Sequence, residues 1–130
     1  MNLNDYNVGL QYEVQLLPFL RVYFNDNTIM QLDRFNTFDY RGKGKFIELK
    51  TRKCSVKSYP STMIGVNKIE AAKSLNEDVY FIFQFTDGVY CWKYDSDIPL
   101  LKKQGGRTDR GTSEIKDYFY IPIGLLTRIC

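Results

Sequence analysis

The sequence predicts an α/β fold in which helices pack on a mixed β-sheet, and three observations predict it. Apolar residues recur at three- and four-residue spacing over about residues 5–25, the pattern of a helix with one buried face. Two short alternating runs flank Gly42-Lys43-Gly44, the pattern of a β-hairpin. A nearly continuous apolar run, Val79 to Phe85, reads as a strand covered on both faces. At 130 residues the chain has room for one domain with a moderate core, taken as residues 1–130.

In chain order, Leu10, Val14, Leu17, Leu20 and Phe24 form the apolar stripe of the first helix, which Pro18 should kink or split. Asn25-Asp26-Asn27 breaks it, and Thr28 to Phe35 reads as a strand of imperfect alternation. The hairpin from Phe38 to Lys50 follows. A basic polar stretch leads to Ser61 or Thr62, either able to cap a helix from Met63 to Leu75 with Ile64, Ile69, Ala72 and Leu75 inward. Asp87-Gly88 predicts a type I′ turn joining Val79–Phe85 to a return strand, 89–94, with Trp92 on one face. Asp95 to Glu114 is polar and rich in turn residues, hence a surface loop. Tyr118 to Ile123 is a last strand that Pro122 should confine to a sheet edge. The order of helices and strands is α/β.

Composition narrows the chemistry. The chain has no histidine, which excludes Ser-His-Asp and Cys-His catalysis and two-histidine metal sites. Cys54, Cys91 and Cys130 are widely spaced, without a C-x-x-C pair, so a zinc site is not expected. Hydrolytic chemistry must run on carboxylates, lysine and a metal. The first residues lack the pattern of a secretory signal, and no apolar run approaches the roughly 20 residues of a membrane span. A protein of the cell interior, cytoplasmic or inside a virus-infected host, is the expectation, with no membrane partner.

The hairpin places such chemistry. If Lys43-Gly44 is a two-residue loop, Gly42 pairs with Lys45 and Asp39 falls opposite Glu48. Lys50 projects from the same face as Glu48. Phe38, Tyr40, Ile47 and Leu49 then share the other, apolar face. Facing Asp and Glu residues repel and normally destabilise a sheet. A divalent cation between them turns that repulsion into a site, since Mg²⁺ takes one or two carboxylates together with water and phosphate oxygens. A lysine beside it suits hydrolysis of a phosphodiester bond.

Asp39 followed by Glu48-Leu49-Lys50 resembles the D…(D/E)-x-K signature of the PD-(D/E)xK nuclease superfamily, which includes restriction endonucleases, Holliday junction resolvases and many viral and phage nucleases. Phe38 stands where the signature's proline would be. The resemblance covers roughly Leu10 to Phe85 and implies a restriction-endonuclease-like core with the order α-β-β-β-α-β. It implies Mg²⁺, replaceable by Mn²⁺, held by Asp39, Glu48 and the Leu49 carbonyl, with Lys50 orienting and activating water. It also implies an acid from the first helix, best matched by Glu13, and a basic residue from the next helix, best matched by Lys68 near the scissile phosphate. Asp33, also on an expected strand, competes with Asp39 for the role of first acid.

Net charge is +3, but the cations cluster. Lys43, Lys45, Lys50, Arg52, Lys53 and Lys57 follow the hairpin, where a polyanion could be drawn onto the site or where they simply form a solvated face. Arg107 and Arg110 lie in the glycine-rich stretch and could clamp a nucleic-acid backbone. Tyr59 could stack on a base or merely pack. The expected activity is a Mg²⁺-dependent endonuclease on duplex or branched DNA, either a Holliday junction resolvase, which requires a homodimer, or a nicking or repair enzyme. The alternatives are an inactive nucleic-acid-binding module on the same fold and a protein-interaction domain.

Overall fold

The hairpin forms in the expected register. In the computed structural model, which describes residues 3–105 and 116–130, strand β2 (Tyr40–Gly42) pairs antiparallel with β3 (Lys45–Thr51) through Tyr40↔Ile47, Arg41↔Phe46 and Gly42↔Lys45. Lys43-Gly44 is the loop, and Gly44 takes a left-handed φ of 68°, a conformation costly for any residue with a Cβ. Asp26 braces this tip, accepting from the Lys43 amide at 2.9 Å and from Lys45 Nζ at 2.8 Å.

Around the hairpin lies a six-stranded sheet in the order β1-β2-β3-β5-β6-β9. Strand β5 (Asp78–Phe85) runs parallel to β3, and β6 (Gly88–Lys93) antiparallel to β5. The edges are short, β1 (Met30–Gln31) and β9 (Thr127–Arg128). β5 is central, and its alternate residues feed two cores, as its unbroken apolar run predicts. Ile82 joins Ile47, Leu49, Tyr40 and Cys91 beneath helix α1 (Leu3–Tyr23), which contributes Leu16 and Leu20. Phe81 and Phe83 face the other way, against Trp92, Phe38, Ile64, Ile69, Ala72 and Ile121. That second face is covered by helix α2 (Val66–Ser74) and by a three-stranded sheet, β4-β8-β7. The architecture is mixed α/β, with a restriction-endonuclease-like core.

Several local expectations are corrected. Helix α1 runs through Pro18 unsplit, and its buried stripe is turned from the expected one: Leu16 is buried while Val14 is 58% exposed. The strand expected over 28–35 shrinks to Met30–Gln31, because Asp33 folds the chain into a turn, accepting from the Phe35 amide and the Asn36 side chain at 2.9 Å each. The segment Ser61–Gly65 is strand β4 rather than the start of a helix; α2 begins after Gly65, without a side-chain cap. The polar stretch after Asp95 contains β7 (Leu101–Gly105). Strand β8 (Lys116–Pro122) lies in the middle of the small sheet, and Pro122 is tolerated because it is the strand's last residue. The β5–β6 hairpin turns through Thr86-Asp87, with Gly88 already paired to Phe85 and no positive φ at the turn. Asp87 instead accepts the Val56 amide at 3.0 Å.

The two hairpin glycines separate conformational strain from crowding. A Cβ at Gly44 meets nothing within 4 Å, so Gly44→Ala should cost about 1 kcal/mol, from φ alone. A Cβ at Gly42 would lie 2.7 Å from Asp26 Oδ2 and 2.8 Å from Ile29 Cγ1. Gly42→Ala should therefore cost more, about 2–3 kcal/mol. Urea denaturation of both variants checks this, and equal losses would contradict it.

Candidate active site

Strand β2 begins at Tyr40, one residue past Asp39, and the site forms where it stops. The Asp39 amide donates at 3.0 Å to the carbonyl of Ile47, the residue already opposite Tyr40, so the regular register ends at Tyr40 and Asp39 does not pair with Glu48 as the hairpin pattern suggested. The next amide on β3, that of Leu49, is met by a side chain: it donates to Asp39 Oδ2 at 2.8 Å. The N–H and C=O of one strand residue point to the same side, so the Leu49 carbonyl faces this rim too. Phe38, freed from the strand, does not share a face with Tyr40 as alternation suggested. It packs in the opposite core, its ring 5.5 Å from that of Phe46.

Glu48 points to the face covered by α2 and is only 2% exposed. Two lysines converge on one of its oxygens, Lys50 Nζ at 3.4 Å and Lys68 Nζ at 3.3 Å from Oε2. Lys68 reaches in from α2 and is held by a further hydrogen bond to Thr37 O. The other oxygen, Glu48 Oε1, is buried with no hydrogen-bond partner among the described residues. Burial first, and then repulsion by Asp39, push the Glu48 carboxyl up to about 7, against the pull of Lys50 and Lys68.

Glu13 arrives from α1. Its carboxylate accepts from Gln31 Nε2 at 2.9 Å, and its backbone carbonyl accepts the Tyr40 hydroxyl at 2.6 Å. Burial, then sharing with and repulsion by Asp39, raise the Glu13 carboxyl to about 8. The carboxyls of Glu13 and Glu48 thus both lie within hydrogen-bonding reach of Asp39. The structure brings Glu13, Asp39, Glu48, Lys50 and Lys68 together; Asp33 is spent in its turn. Gln31 and Tyr40, which set the position of Glu13, escaped the sequence reading. The available signal was that a buried tyrosine hydroxyl must find a partner.

Among the described residues, no three Asp, Glu or Cys side chains form a cation cage by themselves. The donor set nevertheless fits a hard divalent cation. Two carboxylates and a carbonyl at one rim are the oxygen ligands that Mg²⁺ takes along with water and substrate oxygens, and Glu48 Oε1 is a buried acceptor without a donor.

The basic flank is divided. Lys45 is ion-paired with Asp26 and largely covered. Arg52, expected on a solvated face, is mostly buried and donates to Thr62 Oγ1 at 3.2 Å and to Met63 O. Lys43, Lys53 and Lys57 are exposed, while Arg107 and Arg110 lie outside the described residues. Among the described residues no helix is long and apolar enough to cross a membrane.

The raised carboxyls reverse the usual pH dependence of stability. Glu48 is protonated in the fold up to about 7, against an ordinary value of 4.5. Between those values the folded chain holds a proton that the unfolded chain releases, so metal-free stability is full below about pH 4.5 and falls as pH rises through 7. Glu48→Gln should flatten that fall and gain about 2 kcal/mol at pH 8. Denaturant titrations at pH 5 and 8 in EDTA measure it. Asp26, which Lys45 holds well below the usual carboxylate range, keeps its ion pair at both pH values.

No curated protein and no solved structure matches the chain. A family model described as "Phage putative PDDEXK endonuclease" matches residues 11–129, which include every side chain of the site. The match covers most of the chain, and the chain belongs to this phage family of the PD-(D/E)xK superfamily.

Proposed function

We propose that the whole chain is a single nuclease domain that hydrolyses DNA phosphodiester bonds with a divalent cation, Mg²⁺ or Mn²⁺. Family membership favours a nucleic acid as substrate. The observation that carries the reading is Glu48, buried with two lysines on Oε2 and none on Oε1. A carboxylate desolvated beside specific charge partners is the kind of perturbed group that marks a functional site.

Asp39, Glu48 and the Leu49 carbonyl would hold the cation, with Glu13 at its outer side. When bound there, the cation supplies Lewis-acid charge for the phosphoryl oxygens. Lys50, half-exposed at the rim, orients the attacking water and can take its proton. Lys68 fixes Glu48 Oε2 from α2, leaving Oε1 for the cation, and presents positive charge towards the scissile phosphate. Lys43, Lys53 and Lys57 supply sequence-independent attraction for the backbone. A Holliday junction resolvase or a nicking enzyme would both use this site. A resolvase needs a homodimer, for which exposed Val14, Val22, Met30 and Phe35 supply apolar surface. The inactive binding module is the second reading, and the intact acid–acid–lysine set speaks against it.

Asp39→Asn and Glu48→Gln should each abolish Mg²⁺-dependent cleavage of plasmid and branched DNA while the fold persists by circular dichroism. Lys50→Ala should retain DNA and cation binding but lose about 10²-fold or more in single-turnover rate, the scale of a lost acid–base group. Full cleavage by either acid variant would refute the site, and an unchanged rate in Lys50→Ala would reduce Lys50 to a phosphate contact.

The exposed lysines are separable from the chemistry. Each duplex phosphate neutralised contributes about −0.9 to the slope of log K against log salt. Replacing Lys53 and Lys57 together by alanine should flatten the slope by up to about two, at every sequence tested and with unchanged cation affinity. Anisotropy titrations at several salt concentrations give the slope. A wild-type slope near zero would mean that no nucleic acid lies on this flank.

A further inference from the structure

Beyond Lys50, the same face of β3 runs into a cavity of ≈ 450 Å³ that the hydrolytic site does not use. It falls in the roughly 300–1,000 Å³ range of small-ligand sites. Its walls include Arg52 from the end of β3, Tyr59 from the segment before β4, Thr62 and Met63 from β4, and Tyr120 and Lys103 from β8 and β7. Arg52 lies two residues from Lys50 on the same side of the strand, about 7 Å along it. The cavity therefore begins one strand repeat beyond Lys50 and shares no lining residue with the carboxylates.

Its chemistry is specific. The Arg52 guanidinium is mostly buried and has no acidic partner among the described residues. Among them it donates to Thr62 Oγ1 and the Met63 carbonyl, and it lies 5.7 Å from the centroid of the Phe83 ring. Buried cations are ordinarily paired with acids, and a guanidinium carries five donors, so this one is equipped for a further anion. Lys103 Nζ stands 4.6 Å over the Tyr120 ring. Tyr59 is 65% exposed at the mouth. Two cations with no acidic partner among the described residues, beside the exposed Tyr59 ring, match a phosphate joined to a planar base.

We infer that this cavity receives one unpaired nucleotide of the DNA strand, its base against Tyr59 and Tyr120 and its phosphate towards Arg52 and Lys103. A concave, partly open space of this size admits a base only after it leaves the helical stack. The site would then favour substrates that already hold an unpaired nucleotide, such as bulges, flaps or junctions, over continuous duplex. The inference rests on the nuclease reading, because it takes the carboxylate site as the place of cleavage.

The test uses the full chain in EDTA, with fluorescence anisotropy on three labelled DNA hairpins: one carrying a single unpaired nucleotide, one abasic at that position, and one fully paired. Stacking on aromatic side chains predicts that the wild type binds the unpaired base about 5- to 100-fold more tightly than the abasic hairpin. Tyr59→Ala, at an exposed position, should lose most of that preference with an unchanged melting temperature. Lys103→Ala should weaken both complexes and flatten the salt slope by about 0.7, the value for one single-strand phosphate. Equal wild-type affinity for the unpaired and abasic hairpins overturns the inference, as does a preference that survives Tyr59→Ala. Saturation by a free nucleoside monophosphate with no preference among hairpins assigns the cavity to a small ligand and also overturns it. Cleavage in Mg²⁺ is scored separately. Cleavage without base preference sinks the cavity alone, whereas base preference without cleavage under any divalent cation sinks only the nuclease reading.

Discussion

The Asp39 carboxylate takes the Leu49 amide where a strand would otherwise have continued, and much of the molecule follows from that bond. It satisfies a backbone donor that the end of β2 leaves without a partner, so the sheet opens there at no unpaired-amide cost. It fixes Asp39 beside Glu48, and it turns the Leu49 carbonyl to the same rim. It also releases Phe38 into the core on the other face, where Phe38 lies beneath Lys68. A side chain acting in place of a strand is thus both the terminator of the hairpin and the foundation of the site.

The site is held under electrostatic stress by packing on both faces. Helix α1 delivers Glu13 from one side of the sheet, locked by Gln31 and Tyr40. Helix α2 delivers Lys68 from the other and seals Glu48 from water. Two lysines on one carboxylate oxygen only partly offset the desolvation of Glu48 and its repulsion from Asp39, so its carboxyl remains raised. Protons relieve that stress at low pH; a divalent cation would relieve it at neutral pH. The parallel pairing of β3 with β5 is the rigid part. It sets Glu48 beside Phe81 and Lys50 beside Phe83, within a row of aromatic side chains. Those rings supply the low-polarity wall against which the charges act.

The small sheet β4-β8-β7 adds a second use of the same strand. Arg52 ties β4 to the end of β3, and in doing so sets a guanidinium with no acidic partner among the described residues at the wall of a cavity. Positive charge in this chain is accordingly of two kinds. Lys45 and Arg52 tie parts of the fold together, whereas Lys43, Lys53 and Lys57 are exposed. A cluster of cations in sequence does not form one surface, since successive strand residues point to opposite faces.

Asp39 leaves the strand before it can pair with Glu48, but the sequence by itself determined the hairpin register, the central buried strand and the exclusion of histidine chemistry. Each depends on interactions within a few residues, on period-two alternation, or on composition, all of which are local. Glu13 and Lys68 were legible only as matches to a superfamily pattern. Their approach depends on how α1 and α2 lie across the sheet, set by Leu16, Leu20, Ile69 and Ala72 rather than by the acid or the lysine. Strand β4 was misread as helix because its five residues pair with β8, more than fifty positions away, and local propensity does not register a distant partner. The Asp-Gly turn failed for a similar reason: Asp87 is claimed by the Val56 amide and Gly88 by its pairing with Phe85. Only the tertiary structure decided that Arg52 is largely covered with no acid beside it among the described residues, and that Glu48 Oε1 has no partner among them. Desolvation is the sum of everything packed around a group, and no short stretch of sequence contains it.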